Sequence, residues 1–366
     1  MSTFSAFLSG IINSVSSFLY DPWVPLFLLF AGLYFTVRTG FIQLRLFGES
    51  LRVVSEKPSD SGSISSFGAL MVSTASRVGT GNIVGVSSAI CLGGYGAVFW
   101  MWVTALLGGA SAYVESTLAQ IYKKRDNGGG SYGGPSYYIE AGLGLRWLGV
   151  IFAVVLICTY ALGYNMLAAY NLQSTFSGYS FYSAHTPLIV GSILALLFLL
   201  CIFGGAKRLS NVTAVLVPLM GVIYIFVALV VIVINISNIP GVFANIFAGA
   251  FDFKAIFGGF AGSAIMQGMK RGLYSNEAGM GSAPNAAATA DVSHPVKQGL
   301  VQMLSVFIDT LLICTATALM CLSSGIVPES QLEGAPYVQQ AMAQSLGSFG
   351  PVLLPYQCAC LPSPHS

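Results

Sequence analysis

Four consecutive residues inside a long apolar stretch carry the clearest chemistry in this chain: Gly79, Thr80, Gly81 and Asn82. Glycine adopts backbone conformations denied to other residues, so the helix that the apolar stretch predicts can break here. The N–H groups freed at the start of the second half-helix suit a carboxylate. The Thr80 hydroxyl and the Asn82 amide carbonyl are hard oxygen donors for Na⁺. The alternative interpretation is a kink that serves only helix packing.

A second chemical feature is the carboxylate of Asp309, which lies in the middle of another apolar run beside Thr310. A charge at the centre of a membrane helix costs about 2.5–3.5 kcal/mol on insertion scales, so it must face a cavity or a partner. One interpretation makes Asp309 a cation ligand or coupling group, and the other makes it a structural partner of Arg77 or of an amide. Arg77 is in turn either a gate element that pairs with an acid or an arginine that reaches the membrane surface.

Further polar residues in or after the apolar runs are candidates to line the same pocket or to form a gate. They are Asn165, Asn171, Ser263, Gln267, Asn276 and Glu277. We interpret Asn276-Glu277 as a gate or cap on the cytoplasmic side, with a solvated loop as the alternative. Glu115 lies near the end of its run, which favours a structural role at the membrane interface. Since Arg77, Glu115 and Asp309 are predicted to lie at different depths, no catalytic set is expected, and an enzyme is the least favoured class.

The composition places these residues in a membrane protein. Of the 366 residues, 55% are hydrophobic and only 8% are charged, whereas about 25% are charged in soluble domains. The net charge of +2 implies no polyanionic partner, so nucleic acid is not expected. The three histidines are scattered, which argues against a histidine-based catalytic or metal centre.

Eight apolar runs approach the length of about 20 residues that a membrane-crossing helix needs. They cover residues 22–39, 67–92, 97–121, 147–170, 186–203, 212–234, 242–268 and 299–322. A ninth run starts near Leu346 and stops at Tyr356, which is too short to cross. The seventh run is interrupted by Gly258, Gly259 and Gly262, and these predict either a second break or close helix packing.

The order of the runs predicts the domain organisation and the fold class. Residues 1–20 are expected to form an interfacial amphipathic helix, and residues 21–356 a single transmembrane domain with about eight complete spans. The second and seventh runs are both glycine-rich and cross in opposite directions. This pattern is typical of the all-α, LeuT-type (APC superfamily) inverted-repeat fold. The tail 357–366 does not continue the apolar pattern, so the fold is expected to be C-terminally truncated.

The distribution of basic residues predicts the orientation. Thirteen of the 15 basic residues fall in four alternate connections between the runs, at residues 38–57, 123–146, 207–208 and 270–297. Loops rich in Lys and Arg stay in the cytoplasm. We therefore expect a multi-pass protein of the plasma (inner) membrane, with these connections in the cytoplasm and the N-terminus outside.

Several motifs resemble those of one transporter family. They are Arg77-Val-Gly-Thr-Gly-Asn-Ile-Val-Gly85, Gly93-Gly-Tyr-Gly-Ala-Val-Phe-Trp-Met-Trp102, Glu115-Ser-Thr-Leu-Ala-Gln120, Gly133-Gly-Pro-Ser-Tyr-Tyr-Ile-Glu140 and Ser275-Asn-Glu-Ala-Gly-Met-Gly-Ser-Ala-Pro-Asn285. Over residues 20–356 the chain resembles the alanine or glycine:cation symporter family, also called sodium:alanine symporters.

The resemblance implies a secondary active transporter that imports alanine or glycine with Na⁺, or with H⁺, and that needs no cofactor besides this coupling ion. It places substrate and cation contacts on the segment from Gly79 to Asn82, with Thr80 and Asn82 as Na⁺ ligands. The sequence leaves open an inactive fragment or a passive, channel-like membrane protein.

Overall fold

The apolar runs fold as helices in this computed structural model, which describes residues 2–56, 65–125, 130–176, 179, 181–202, 205–252 and 263–347. In chain order the helices are α1 (Ser2–Phe18), α2 (Val24–Arg38), α3 (Ile42–Arg45), α4 (Phe47–Val54), α5 (Ser66–Arg77), α6 (Val86–Gly93), α7 (Gly96–Ile121), α8 (Pro135–Leu143), α9 (Arg146–Cys158), α10 (Asn165–Ser174), α11 (Thr186–Ile202), α12 (Gly205–Ile234), α13 (Ile239–Ala250), α14 (Ala264–Asn276), α15 (Ala283–Thr289), α16 (Pro295–Val306), α17 (Thr315–Ser323) and α18 (Ala335–Leu346).

Shorter elements join these helices. The π-helical segments are Leu19–Trp23, Gly81–Gly85, Thr159–Tyr164 and Phe307–Cys314, and the 3₁₀ turns are Ile236–Asn238 and Ser330–Leu332. Strand β1 (Lys124–Arg125) pairs antiparallel with β2 (Ser131–Tyr132) between α7 and α8.

Three continuous helical stretches of the described residues are long and apolar enough to cross a bilayer: Gly96–Ile121, Arg146–Ser174 and Pro295–Ser323. The pair Pro218–Ile234 and Ile236–Ala250 adds a fourth if it counts as one span, although its halves are bent by 74°. The runs predicted at 97–121, 147–170 and 299–322 are therefore confirmed as long helices. Shorter apolar helices cover Val24–Arg38, Gly81–Gly93 and Thr186–Leu196.

The bundle has two ends, which we name after one residue each. At the Glu56 end, Lys297 at the start of α16 forms an ion pair with Glu56. At the Tyr95 end, the indole N–H of Trp100 donates to the Ala250 carbonyl at 3.0 Å. Helix α5 starts at the Glu56 end and α6 finishes at the Tyr95 end, so the predicted second span crosses the bundle as two half-helices.

The boundaries predicted for the seventh run, 242–268, are wrong at both ends. Its first part belongs to α13, which bends away from α12, and its last part lies inside α14, which runs on to Asn276. The basic residues Lys270 and Arg271 therefore lie in a helix and not in a loop. The glycines at 258, 259 and 262 lie outside the described residues, as do the end of the ninth run and the tail.

A second broken helix consists of α14, residues 277–282 and α15. Helix α14 ends because Glu277 adopts a left-handed conformation with φ of 50°, and Gly279 and Gly281 have φ of 82° and 84°. Helix α14 starts at the Tyr95 end, and α15 leads to the Glu56 end, where the Lys123 ammonium donates to the Ala290 carbonyl at 2.8 Å. The two broken helices therefore run in opposite directions.

Helix α7 is the central packing element, since α14 and α16 both lie against it. The close approach of α14 to α7 depends on glycine: a Cβ at Gly272 would overlap the Thr104 hydroxyl, and a Cβ at Gly268 would overlap the Ala97 carbonyl.

Buried apolar side chains form two clusters. One cluster includes Ile83, Ile90, Met101 and Met320, and the other includes Leu70, Ala112, Leu300 and Leu304.

Candidate binding site at the two helix breaks

The first break lies where the sequence predicts it. Helix α5 ends at Arg77, and Val78 turns to an extended conformation with ψ of 94°. The chain then enters the π-helical segment Gly81–Gly85. The Gly79 N–H, which the break frees, donates to the Asn82 Oδ1 at 3.2 Å. The side-chain carbonyl of Asn82 thus replaces a backbone acceptor that a continuous helix would supply.

Asp309 lies beside this break and is fully buried. The Asn82 amide donates to its Oδ1 at 2.6 Å, and the hydroxyls of Ser275 and Thr310 donate to its Oδ2 at 2.7 and 2.9 Å. All three donors are neutral. The π-helical turn around Asp309 widens the helix locally, which is a frequent feature of functional sites.

The structure brings some of the other candidates to this place and leaves others away from it. The Asn171 amide donates to the Thr80 hydroxyl at 3.1 Å, so α10 reaches the first break. Asn165 instead donates to carbonyls of its own helical stretch. Ser263 caps the start of α14 by accepting from the Met266 N–H, and Gln267 packs against Gly93 at the Tyr95 end.

The two breaks contact each other through Arg77. Its Nε donates to the Asn276 carbonyl at 2.8 Å, and its Nη1 donates to Gln302 at 3.4 Å. The exposed fractions of Arg77, Asn276 and Glu277 are 4%, 0% and 2%. The interpretations of Arg77 as an arginine at the membrane surface, and of Asn276-Glu277 as a solvated loop, are therefore wrong.

Glu277 joins the second break to its surroundings. Its Oε2 accepts from the hydroxyls of Ser282, Ser76 and Tyr160 at 2.6, 3.3 and 3.4 Å. Glu115 accepts from the Gly279 N–H at 3.3 Å and is only 8% exposed, so it supports the second break and does not reach the interface. The buried groups around the breaks thus include three carboxylates and one guanidinium.

Sequence reasoning missed two participants. Ser275 lies in a family motif, but its residue type alone predicts no role; in the structure its hydroxyl donates to Asp309 and also contacts the Cys314 sulfur at 3.1 Å. Gln302 was unremarkable within its run. A usable signal exists for the second residue, because Gln298, Gln302, Ser305 and Asp309 recur at helical spacing on one buried face.

A cavity of about 500 Å³ adjoins the first break on the side of the Tyr95 end. Its wall comprises parts of α6, α10, α14 and the segment before α18, and it includes Gly81 and Asn171. On the opposite side of the break, the Ser73 and Thr74 hydroxyls contact the Ser305 hydroxyl at 3.3 and 3.2 Å. Polar side chains of α5 and α16 therefore contact each other between the break and the Glu56 end.

Comparison with known proteins gives consistent matches over this whole region. A family model described as the sodium:alanine symporter family matches residues 5–361. The amino-acid carrier protein AlsT of Bacillus subtilis is 47% identical over 352 residues, which are 95% of this chain and 74% of AlsT. The probable sodium/glutamine symporter GlnT of Bacillus subtilis is 45% identical, over 93% of this chain and 71% of GlnT. The sodium/alanine symporter AgcS of Methanococcus maripaludis is 41% identical, over 87% and 71%.

Proposed function

The chain belongs to the sodium:alanine symporter family, and from this premise we propose that it imports alanine or glycine by symport with Na⁺. Members of this family are membrane transporters of amino acids and not enzymes. The observation that carries the proposal is the meeting of two broken helices at the buried Asp309. Broken helices at the centre of a membrane protein free backbone groups for a substrate and an ion.

The direction of the broken helices supports a LeuT-type inverted repeat. The pair α5–α6 crosses from the Glu56 end to the Tyr95 end, and α14–α15 crosses the other way. Two inverted halves related in this manner place their discontinuous helices side by side around one central site. The contact of Arg77 with the Asn276 carbonyl joins the two breaks at that place.

The substrate half of the proposal rests on the segment from Gly79 to Asn82 and on the adjoining cavity. A zwitterion that reaches Gly81 through the cavity meets the start of a half-helix, where N–H groups favour its carboxylate. The Tyr274 ring narrows the cavity at Gly81, because it would lie 2.9 Å from a Cβ at that position. Stacking on Tyr164, with ring centroids 5.6 Å apart, holds the Tyr274 ring in place. This restriction supports a substrate with a small side chain.

The proposal that Na⁺ is the coupling ion rests on the negative charge of a buried carboxylate. The carboxylate of Asp309 is fully buried, and its hydrogen bonds come from the neutral side chains of Asn82, Ser275 and Thr310. Burial of a carboxylate among neutral groups is costly, so the oxygens around Asp309 favour a cation that neutralises it. We assign Na⁺ to the oxygens near Asp309, with Thr80 and Asn82 as the predicted ligands and Thr310 beside them.

Uptake into proteoliposomes tests the proposal. Radiolabelled alanine is expected to accumulate when an inward Na⁺ gradient is imposed and to equilibrate without accumulation when the gradient is collapsed. Glycine is expected to compete with alanine. Uptake that ignores both the Na⁺ and the pH gradient would contradict symport and would favour a passive pathway.

A further inference from the structure

The cavity wall carries one ion pair that the central site does not use. The Nη2 of Arg271, on α14, lies 3.5 Å from the Oε1 of Glu333, which precedes α18. Both side chains face the cavity and remain 34% and 39% exposed. They are the charged members of the described cavity wall, whose other residues are neutral.

We infer that Arg271 and Glu333 form a separate binding site for a zwitterionic α-amino acid, reached before the central break. Arg271 binds the α-carboxylate, and Glu333 binds the α-ammonium. The inference rests on the proposed function, because it takes an amino acid as the molecule that enters this cavity.

The geometry of the pair suits the exchange of partners. A separation of 3.5 Å is longer than the roughly 2.7–2.9 Å of a strong charge-assisted hydrogen bond. A half-exposed ion pair contributes only about 0–1 kcal/mol, so the two charges can part at little cost. The planar guanidinium can then bind a carboxylate through two parallel N–H donors, as it does in many bidentate pairs. A zwitterion supplies both opposite charges and leaves neither side chain unpaired.

The rest of the wall suits the uncharged part of such a ligand. Leu167 and Val84 supply apolar surface, and the Tyr182 hydroxyl, which donates to Gln173, supplies a polar rim. A volume of about 500 Å³ falls in the range of roughly 300–1,000 Å³ that is usual for small-molecule sites. Because the same cavity touches Gly81, a bound amino acid can move from this pair to the break without leaving the cavity.

Equilibrium dialysis of the purified chain in detergent and NaCl, with radiolabelled alanine, tests the inference. Wild-type protein is expected to bind about two alanine molecules, one at the break and one at the pair. Arg271→Gln and Glu333→Gln are each expected to bind about one. Lys270→Gln is the matched control, because it removes a neighbouring charge of α14 that does not line the cavity, and it should still bind two.

A conservative variant and the separate position of Glu333 keep the test decisive. Arg271→Lys retains the charge without the planar donor pair, so it should keep both sites and weaken the outer one about tenfold, or 1.4 kcal/mol. Glu333 lies in the connection before α18, so Glu333→Gln tests the pair independently of helix α14. Unchanged stoichiometry in both Gln variants, or loss of both sites together, would show that the pair is only a structural latch.

The outcome separates this inference from the proposed function. A chain that binds two alanine molecules but does not accumulate alanine under a Na⁺ gradient would uphold the outer site and refute symport. A chain that accumulates alanine but binds it at one site, insensitive to Arg271 and Glu333, would uphold symport and refute the outer site.

Discussion

The side chain of Asn82 forms hydrogen bonds with two other groups at once. Its carbonyl oxygen accepts from the Gly79 N–H, and its amide donates to Asp309. Both partners are buried, and each would lose a hydrogen bond if the side chain were apolar. An unsatisfied buried group costs about 1–3 kcal/mol, and more when it is charged.

Replacing Asn82 by Leu should therefore abolish Na⁺-coupled alanine uptake while the protein still inserts in the membrane. Asn165→Leu is the matched control, because the Asn165 amide bonds to carbonyls of its own helical stretch, and its uptake should stay close to wild type. Uptake in proteoliposomes, normalised to the amount of reconstituted protein, gives the comparison. Wild-type affinity and rate in Asn82→Leu would mean that the residue serves only packing.

The sequence indicated most members of the site one by one, but it could not indicate their contacts. Gly79, Gly81 and Asn82 stand out as a break, and Asp309 stands out as a charge in an apolar run. The hydrogen bond between Asn82 and Asp309 joins residues 227 positions apart, and no local pattern reports such a distance. For the same reason, the sequence could not decide whether Asp309 pairs with Arg77 or with neutral side chains.

Among the elements, the two broken helices were not equally predictable. The first break follows Arg77 directly, and Gly79 and Gly81 on either side of Thr80 mark its position in the sequence. The glycines of the seventh run predict the second break too early in the chain. Helix α14 ends at Asn276, because Glu277, Gly279 and Gly281 take positive φ values. Left-handed conformation at a glutamate is not visible in hydrophobic periodicity. Hydrophobic periodicity therefore misplaces the span, although the break lies inside the family motif Ser275–Asn285.

The close packing of α14 on α7 predicts opposite effects for two chemically identical substitutions. Gly→Ala within a helix usually stabilises by roughly 0.5–1 kcal/mol, because alanine loses less backbone entropy on folding. We expect this gain for Gly191→Ala in α11, where a Cβ meets nothing within 4 Å. We expect a loss for Gly272→Ala, where the Cβ would overlap the Thr104 hydroxyl.

Thermal unfolding of the two variants in the same detergent measures this difference. The midpoint of Gly191→Ala should rise, and the midpoint of Gly272→Ala should fall. Equal shifts of the same sign would contradict the role of Gly272 in bringing α14 against α7.

On the scale of the whole molecule, the two ends of the bundle should face opposite sides of the membrane. Arg125, in β1 at the Glu56 end, and Ser237, in the turn before α13 at the Tyr95 end, are both exposed. Thirteen of the 15 basic residues fall in the alternate connections between the predicted runs. The structure places several of them in helices, such as Arg52 in α4 and Lys270 and Arg271 in α14. The orientation therefore stays a prediction from the distribution of basic residues.

A cysteine introduced at Arg125 should therefore react with a membrane-impermeant thiol reagent only from the cytoplasmic side, and one at Ser237 only from outside. Cys91, Cys314 and Cys321 are buried, and the other native cysteines, which are Cys158, Cys201, Cys358 and Cys360, are replaced by Ala in both variants so that they do not contribute to labelling. Labelling in intact cells and in inverted membrane vesicles distinguishes the sides. Reversed labelling at both positions would refute the orientation.

The neutral donors around Asp309 have an electrical consequence. A Na⁺ that binds there adds a full positive charge to the transported complex, whereas alanine or glycine adds none. Each Na⁺ carried by the proposed symport therefore moves one charge through the membrane field, which contributes about 2.3 kcal/mol per 100 mV. A membrane potential of about 100 mV alone therefore supports roughly fortyfold accumulation of the substrate, because each tenfold concentration ratio corresponds to about 1.4 kcal/mol. The Na⁺ bound beside the carboxylate would thus make the uptake of a zwitterion without net charge responsive to membrane voltage.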